Sequence, residues 1–448
     1  MRQNSLAYAV VSALGLLAAA PETNAAGFAL SEQGVSGLGN AYAGAAAAAE
    51  DASTVWWNPA GMARLGPGKH ALLTGHVIVP STEFSNDASV IAAASNPART
   101  GSGGNAGDAA VVPNLFFAAD LNPQWSFGVG VTVPFGLATE YAPDWIGRFQ
   151  GIDSEVKTLN VNPSVSYKLG KRASVGFGVS YQHGEIDLLS AVNYSGVAFG
   201  AGGAPLLAAS GGPGVEGQNA TSLSGDAWGF NAGLLFDMTP ATRVGIAYRS
   251  SLKYEMDGTT RFTGRPAAFA GIPALAAATA DGDVRLDLRT PENLSFSAAH
   301  KASDRWEILG DVTWTRWSRI KQLPLIRDNG ATLDTLSFNF KDTLRYSIGA
   351  NYELNGSWTL KMGAAFDESP VPNAEDRSVR LPDNDRYWLS LGATYRASRN
   401  GKLDFGHAYV GVKDADINND QSAQARGVVN GVYQARVSIV SIQYQHRF

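Results

Sequence analysis

Cysteine is absent from the 448 residues, which excludes a disulfide framework, a thiol nucleophile and a thiolate metal site. Histidine is scarce: His70, His76, His183, His300, His407 and His446 are all there are. None stands at a metal-binding spacing such as His-x-x-x-His. A large charge of one sign is also lacking, with a formal net charge of -5, and no basic block offers a footprint for nucleic acid. Beyond the first twenty residues no apolar run reaches the length a membrane-crossing helix requires. No carboxylate pair or Ser/His set stands out for catalysis, and no nucleotide-binding loop supplies an energy source. An enzyme, a metal and a cofactor are therefore not expected.

What is present begins with a leader. Arg2 gives a positive start, residues 6–20 an apolar core, and Thr-Asn-Ala ending at Ala25 a small-residue cleavage site, the make-up of a secretory signal peptide. The apolar core is short, and Pro21 and Glu22 follow it, which argues against a membrane helix. Residues 26–65 are then rich in Gly and Ala with no strand-like alternation. They are expected to form a plug, with Gly34, Gly37, Gly39 and Gly44 suited to close packing and Trp56, Trp57 and Asn58-Pro59 marking an anchor and a turn. The expected division is signal peptide 1–25, plug 26–65 and barrel 66–448.

From residue 66 onward period-two alternation takes over. Val440, Ile442, Tyr444 and Phe448 share one parity, and Ser441, Gln443, Gln445 and Arg447 the other. Trp358, Leu360, Met362, Ala364 and Phe366 likewise oppose Thr359, Lys361, Gly363, Ala365 and Asp367. On the apolar parity, aromatic residues recur eight positions apart: Trp306 and Trp314, Tyr387 and Tyr395, Trp358 and Phe366, Trp228 and Phe236. On a tilted strand that spacing spans roughly 20 Å along the barrel axis, close to the height of a lipid-facing band between two aromatic girdles.

The connections have a rhythm as well. Tight links stand at Asn122-Pro123, Gly170-Lys171, Thr239-Pro240, Ser303-Asp304, Asn355-Gly356 and Asn400-Gly401. Longer loops alternate with them, around residues 82–109, 135–151, 196–222, 263–282, 322–332, 369–385 and 414–426. Short turns on one side and long loops on the other, with about fourteen strands, predict an all-β fold, a transmembrane antiparallel β-barrel. Closure follows from the solvent, because lipid has no hydrogen-bond partner for an open sheet edge. An even strand count puts both ends on the periplasmic side. His300, His407 and His446 fall on the lipid-facing parity near strand ends, as girdle residues would.

Among lumen-facing charges, Lys341 and Arg345 are four apart within one strand, after Phe338 and Phe340. Lys341 could hold a carboxylate at the edge of an oily pocket, or pair with a lumen acid such as Asp311 or Glu307. Two of the long loops are unusually apolar. One carries Phe199, Leu206 and Leu207, the other Phe269, Ile272 and Leu275 at helix-like spacing. Such loops form an interaction surface or a cap on the barrel mouth.

Several stretches are more specific than any of these patterns: AGF at 26–28, SGLGNAYAG at 36–44, Asn58-Pro59-Ala60, GLATEY at 136–141, WGFNAGLLF at 228–236, YRSSLK at 248–253, FKD around Lys341, AFDESPVP at 365–372 and LPDNDRYWLS at 381–390. Together they resemble the FadL family of outer-membrane long-chain fatty acid transporters, whose relatives include importers of aromatic hydrocarbons. The resemblance covers the whole mature chain. It implies a fourteen-stranded barrel with a hatch inside it, capture of ligand on the extracellular loops, and passage to a pocket above the hatch. The hatch start, matching Ala26, Gly27 and Phe28, would touch the ligand and move, while Asn58, Pro59 and Ala60 match its other end. The ligand would leave sideways at an inward kink of the third strand, here WSFGVGVTV, with Gly128 and Gly130 permitting the kink. Lys341 matches a lysine facing the ligand's acidic head, but a second cationic position of the family holds Leu188 here. That leaves Lys341 alone, or helped by Arg345, or points to a neutral substrate. Long-chain fatty acids are the first expectation and neutral hydrophobic compounds the second, taken up by a monomer embedded in outer-membrane lipid of a Gram-negative bacterium.

Overall fold

The structure, a computed structural model, describes residues 27–448; the signal peptide and Ala26 lie outside the described residues. Fourteen strands make the barrel. They are β1 (Lys69–Asn86), β2 (Ala110–Asp120), β3 (Trp125–Thr132 and Gly136–Glu140), β4 (Asp153–Lys168), β5 (Ala173–Asn193), β6 (Glu216–Asp237) and β7 (Thr242–Arg249 and Lys253–Thr263). Then come β8 (Gly282–Arg289 and Asn293–Lys301), β9 (Trp306–Thr315 and Gln322–Arg327), β10 (Thr332–Ser337 and Thr343–Glu353), β11 (Trp358–Asp367), β12 (Arg386–Arg396), β13 (Gly401–Val412 and Ala415–Asp420) and β14 (Val428–Arg447). Each pairs antiparallel with the next. β14 closes on β1 in a register running from His70 opposite Arg447 to Asn86 opposite Gly431.

The alternation read from the sequence is the wall itself. Leu389, Leu391, Ile348, Val440 and Ile442 are exposed on the outside, while Gln443, Asn160, Asn114 and Asp404 are buried within. Aromatic rings pair across neighbouring strands at the two ends of the apolar band. Trp125 and Tyr167, Trp306 and Tyr352, and Trp358 and Tyr395 each stand 4.7 Å apart toward one end. Phe366 and Tyr387 (5.2 Å) and Tyr181 and Trp228 (5.1 Å) do so toward the other. His300 and His446 sit near strand ends, but His407 does not. It faces outward in the middle of the band, opposite Val440 and Leu391, with its Nε2 3.2 Å from the Ser438 hydroxyl.

All six tight links are found, each with four residues between strands. The long-loop side is shorter than the sequence predicts. Residues 322–327 and 415–420 are strand, leaving only 328–331 and 421–427 as connections there. Past the lipid both faces of a strand meet water or loops, so alternation fades while backbone pairing continues.

Residues 27–65 lie inside the barrel as three single-turn helices, α1 (Val35–Leu38), α2 (Ala45–Ala48) and α3 (Thr54–Trp57), followed by a 3-10 helix, Pro59–Arg64. Most of their side chains are buried against the inner wall. Four adjacent strands, β7 to β10, are interrupted at one height. Arg249 pairs with Asn293, Asn293 with Thr315, and Thr315 with Thr343, and each of these residues borders the break in its strand, after it in β8 and β10 and before it in β7 and β9. This ring of breaks turns residues such as Trp317 and Phe340 inward and divides the lumen.

Candidate functional site

Above the ring of breaks the inner wall is aliphatic. Ile186 (β5), Leu223 (β6), Met256 (β7), Leu286 and Leu288 (β8) and Leu323 and Leu325 (β9) form one buried cluster with Trp317, Ile320 and Phe340, and Val371 and Leu381 of the 368–385 loop join it. Leu188, Phe338 and Phe28 pack against this cluster. The structure thus brings together four residues singled out from the sequence: Phe28, Leu188, Phe338 and Phe340.

Phe28 is its floor. The ring stands 5.5 Å from Phe135 and 5.1 Å, edge-on, from Trp317, which meets Phe340 at 5.9 Å. The residue before it must be glycine. Gly27 sits at φ +60°, and a Cβ there would lie 2.6 Å from the Trp317 ring. Gly27 N–H donates to Asp383 Oδ2 (3.1 Å), whose carboxylate is paired with Arg386 and accepts from the Ser369 hydroxyl. Asp383 belongs to the LPDND run, so that motif holds the first described residue of the internal segment.

The same segment also meets a gap in the wall. β3 breaks at Val133-Pro134-Phe135, and no pairing joins residues 110–114 of β2 to the continuation of β3. Leu30 N–H donates to Pro134 O (2.9 Å), Gly136 N–H to Phe28 O (2.9 Å), and Gln33 Nε2 to Val133 O (2.8 Å). The sequence places the kink at Gly128 and Gly130. It lies instead three residues beyond, for both glycines keep regular partners in β2 and β4. Gly128 makes room for the internal segment instead. A Cβ there would fall 2.5 Å from Met62 Sδ and 2.6 Å from Val55, so only a bare backbone lets that segment approach the wall.

At the other end Asn58, Pro59 and Ala60 anchor the segment. Asn58 Nδ2 donates to Ala46 O (2.7 Å) and Leu234 O (3.1 Å), and its Oδ1 accepts from Ala60 N–H (3.1 Å). The Ser174 hydroxyl donates to Ala60 O (2.9 Å). Further down, Lys361 pairs with Glu50 and donates to Ser36 O (2.9 Å), and Gln443 accepts from Val35 N–H and donates to Asp51, both at 2.8 Å. These contacts tie the segment to the inner wall of β11 and β14.

Lys341 is not where the sequence predicts. The residue is exposed and is not among those lining the cavity beneath Phe28, while its backbone N–H donates to Pro370 O (2.9 Å). The strand is interrupted from 338 to 342 and Asn339 takes a left-handed φ of 48°, which breaks the parity count that places Lys341 beside Arg345. Arg345 does point inward, but below the floor. It donates to Ala41 O (3.0 Å), lies 3.9 Å from Asp367 and faces the Trp388 ring. Glu307 and Asp311, the acids considered for Lys341, bond to Asn351 and to Ser297 and Thr313 instead.

Between the floor and the internal helices lies an atom-free space of about 1270 Å³, partly open to solvent. Its lining is mixed: Trp56, Trp57, Phe135 and Trp317 alternate with Asn160, Gln182, Asn231, Arg249, Asp311, Arg345 and Asp367. The lumen therefore has a packed aliphatic cluster above, with a small space of about 250 Å³ beside Phe28, and a mixed polar cavity beneath, parted by the Phe28–Phe135–Trp317 rings. Sequence reasoning missed Trp317, Phe135 and Arg249. A signal for Trp317 existed, since alternation in β9 fails at Thr315-Arg316-Trp317.

The two apolar loops are divided in role. Phe269 and Leu275 are buried in a small core with Tyr194 and Ala198, which Leu206 and Ile272 join. Phe199, in the helix Tyr194–Ala209, stays 51% exposed and Leu207 is half-buried. The loops thus pack on one another, and only part of their apolar surface remains open. Nearby, Arg380 of the 368–385 loop donates to Asp153 O (2.9 Å) and the Ser154 hydroxyl (2.7 Å); burial pushes its guanidinium down to about 10.

Residues 16–448 match the family described as outer membrane protein transport protein (OMPP1/FadL/TodX). The chain is 32% identical over 429 residues to a long-chain fatty acid transport protein of Escherichia coli, covering 92% of this chain and 94% of that one. It is 30% identical to outer membrane protein P1 of Haemophilus influenzae, covering 97% and 98%. Among solved structures it resembles a FadL homologue of Pseudomonas aeruginosa with a TM-score of 0.85 and 25% identity, over 94% of this chain and all of the other. The barrel, its filled lumen and these matches have one meaning: the chain belongs to the OMPP1/FadL/TodX family of outer-membrane transport proteins, which are transporters of hydrophobic compounds in Gram-negative outer membranes and not enzymes.

Proposed function

We propose that the chain mediates passive uptake of long-chain fatty acids. The observation that carries this reading is the buried aliphatic cluster floored by Phe28, a residue bonded through its own carbonyl to the break in β3; we read the cluster as the wall of a ligand chamber. An acyl chain buried there gains about 0.8 kcal/mol for each methylene taken from water, so a long chain can bind without polar help. Displacing Phe28 would open the floor and free the inner side of the β3 gap together, and so couple release from the chamber to sideways exit. The ionic and amide contacts at Lys361 and Gln443 support a lateral way out over a straight one. Exposed Phe199 and half-buried Leu207 suit first capture, and residues 27–65 act as the hatch. The short turns and both barrel ends would then face the periplasm, and uptake is downhill, drawn by consumption inside.

A neutral hydrophobic substrate is the second reading. It is favoured by Leu188 against the cluster and by Lys341 away from it, which leave neither of the two family head-group positions with an inward cation. Equilibrium binding to the purified barrel, followed by tryptophan fluorescence, separates the two. Dodecanoate and dodecanol are expected to bind with affinities within about tenfold, because the chamber reads the chain, and cells should take up both. Uptake of the alcohol without the acid would establish the second reading. Failure of either ligand to bind would remove the chamber from the mechanism.

A further inference from the structure

On the lining of the cavity beneath the floor, particular hydrogen-bond donors have no partner among the described residues. Arg249 ends the first segment of β7 and lines this space. Its guanidinium lies 3.5 Å from the centre of the Trp56 ring, with Nη2 donating to Trp56 O (2.8 Å) and Nη1 to the Ser180 hydroxyl (3.3 Å). Other inward cations nearby have carboxylates beside them, Asp237 for Arg243, Glu50 for Lys361 and, at 3.9 Å without a hydrogen bond, Asp367 for Arg345, whose Nε has no partner among the described residues. Arg249 has no carboxylate partner among the described residues. Two strands away on the same lining stands Gln182, 1% exposed, whose Nε2 has no acceptor among the described residues; the hydroxyl of Tyr42, also on the lining, has no partner among them either. A buried donor without a partner is costly, and a buried cation without an anion more so.

The acids on the lining do not answer this surplus. Asp311 stands two strands from Arg249 and accepts from the Ser297 and Thr313 hydroxyls. Asp367 stands four strands away, opposite Arg345. The cavity is bounded above by Trp317 and on one side by Leu30, Pro134 and Phe135, so it lies between the floor of the chamber and the gap in β3.

We propose that this cavity is a second ligand station, in which Arg249, with Gln182, receives the carboxylate of a fatty acid after it passes Phe28 and before it leaves through the wall. The inference rests on the fatty acid reading and adds where the head group is recognised. The chamber selects for chain, and the station below selects for acid. Stacking on Trp56 fixes the guanidinium plane, leaving its remaining N–H groups for two carboxylate oxygens, the geometry in which arginine binds such groups best.

The test is uptake of labelled dodecanoate and dodecanol by an Escherichia coli host lacking its own long-chain fatty acid transport protein, with the full-length chain supplied in its place. Arg249→Leu is expected to slow dodecanoate uptake about tenfold, the effect of removing a charge-assisted hydrogen-bond pair, with dodecanol uptake and dodecanoate binding to the chamber unchanged. Arg249→Lys should restore most acid uptake, and Gln182→Leu should lower it selectively by a smaller factor. An equal fall for acid and alcohol, or no fall for the acid, overturns the station. If Arg249→Leu does not reach the membrane folded, Gln182→Leu decides, and unchanged acid uptake in that variant overturns the proposal. Wild-type protein that imports no dodecanoate would sink the fatty acid reading itself, a result distinct from wild-type uptake that ignores both substitutions.

Discussion

One left-handed residue, Asn339 at φ 48°, separates two accounts of how the chamber meets a head group. Counting by twos along an unbroken strand sets Lys341 beside Arg345 in the lumen. The actual backbone is interrupted there, and Lys341 is exposed while Phe340 is fully buried. Lys341→Ala is therefore expected to change dodecanoate affinity less than about twofold, as surface substitutions do; a tenfold loss would return the lysine to the site. Leu188→Asp should act in the opposite manner, weakening dodecanoate and dodecanol by at least about tenfold each, because it places a carboxylate against an aliphatic wall. Phe28 and Leu188 were singled out through the resemblance, and Phe338 and Phe340 as the rings beside Lys341; all four meet at the aliphatic cluster, since apolar residues need only roughly correct placement to join one. Lys341 was not, because the direction of one side chain depends on a backbone break that period two cannot register. Arg249 lay within the YRSSLK match without any sign that its charge goes unpaired.

At the scale of elements, the decisive feature is a strand that stops pairing where another segment takes over. Residues 28–30 form hydrogen bonds to the break in β3, including an antiparallel bridge between Ala29 and Phe135. Paired residues of this kind hold their Cβ atoms about 4.5–5.5 Å apart, and the chain has no cysteine of its own. A double substitution, Ala29→Cys with Phe135→Cys, is thus expected to form a single bond on oxidation and to abolish uptake until a reductant is added. Uptake that continues in the oxidised, cross-linked protein would show that the N-terminal segment need not move. The far end should behave differently. Asn58→Ala removes three hydrogen bonds that tie α2, the 3-10 helix and β6 together, and is expected to loosen that region by about 2 kcal/mol, or roughly thirtyfold faster amide exchange. Thermal unfolding of the barrel should be unaltered by the same change. The sequence indicated a flexible third strand through its glycines, yet a glycine marks either a bend or a close approach. Only the position of Met62 and Val55 against Gly128 tells which.

For the molecule as a whole, the wall and its filling are held by different forces. The wall is closed by backbone pairing from β1 round to β14, which lipid makes obligatory and which alternation therefore reveals along the chain. Short turns, strand count and outward aromatics follow from that one constraint, so they were readable. The filling answers to no period. Residues 27–65 are fixed by individual contacts, such as Lys361 with Glu50, Gln443 with Asp51 and Asn58 with Leu234 O, and composition gave only their small side chains. A barrel of this size without its filling is a wide aqueous pore by the usual relation of strand number to diameter. Deleting residues 27–65 should leave a folded barrel, because the closing register between β1 and β14 starts at His70, and should raise ion conductance in planar bilayers by at least about tenfold over the intact chain. Conductance that stays low after the deletion would mean that the wall residues themselves collapse into the lumen. In that case the division into hatch and barrel, and with it the account of Phe28 as a movable floor, would not stand.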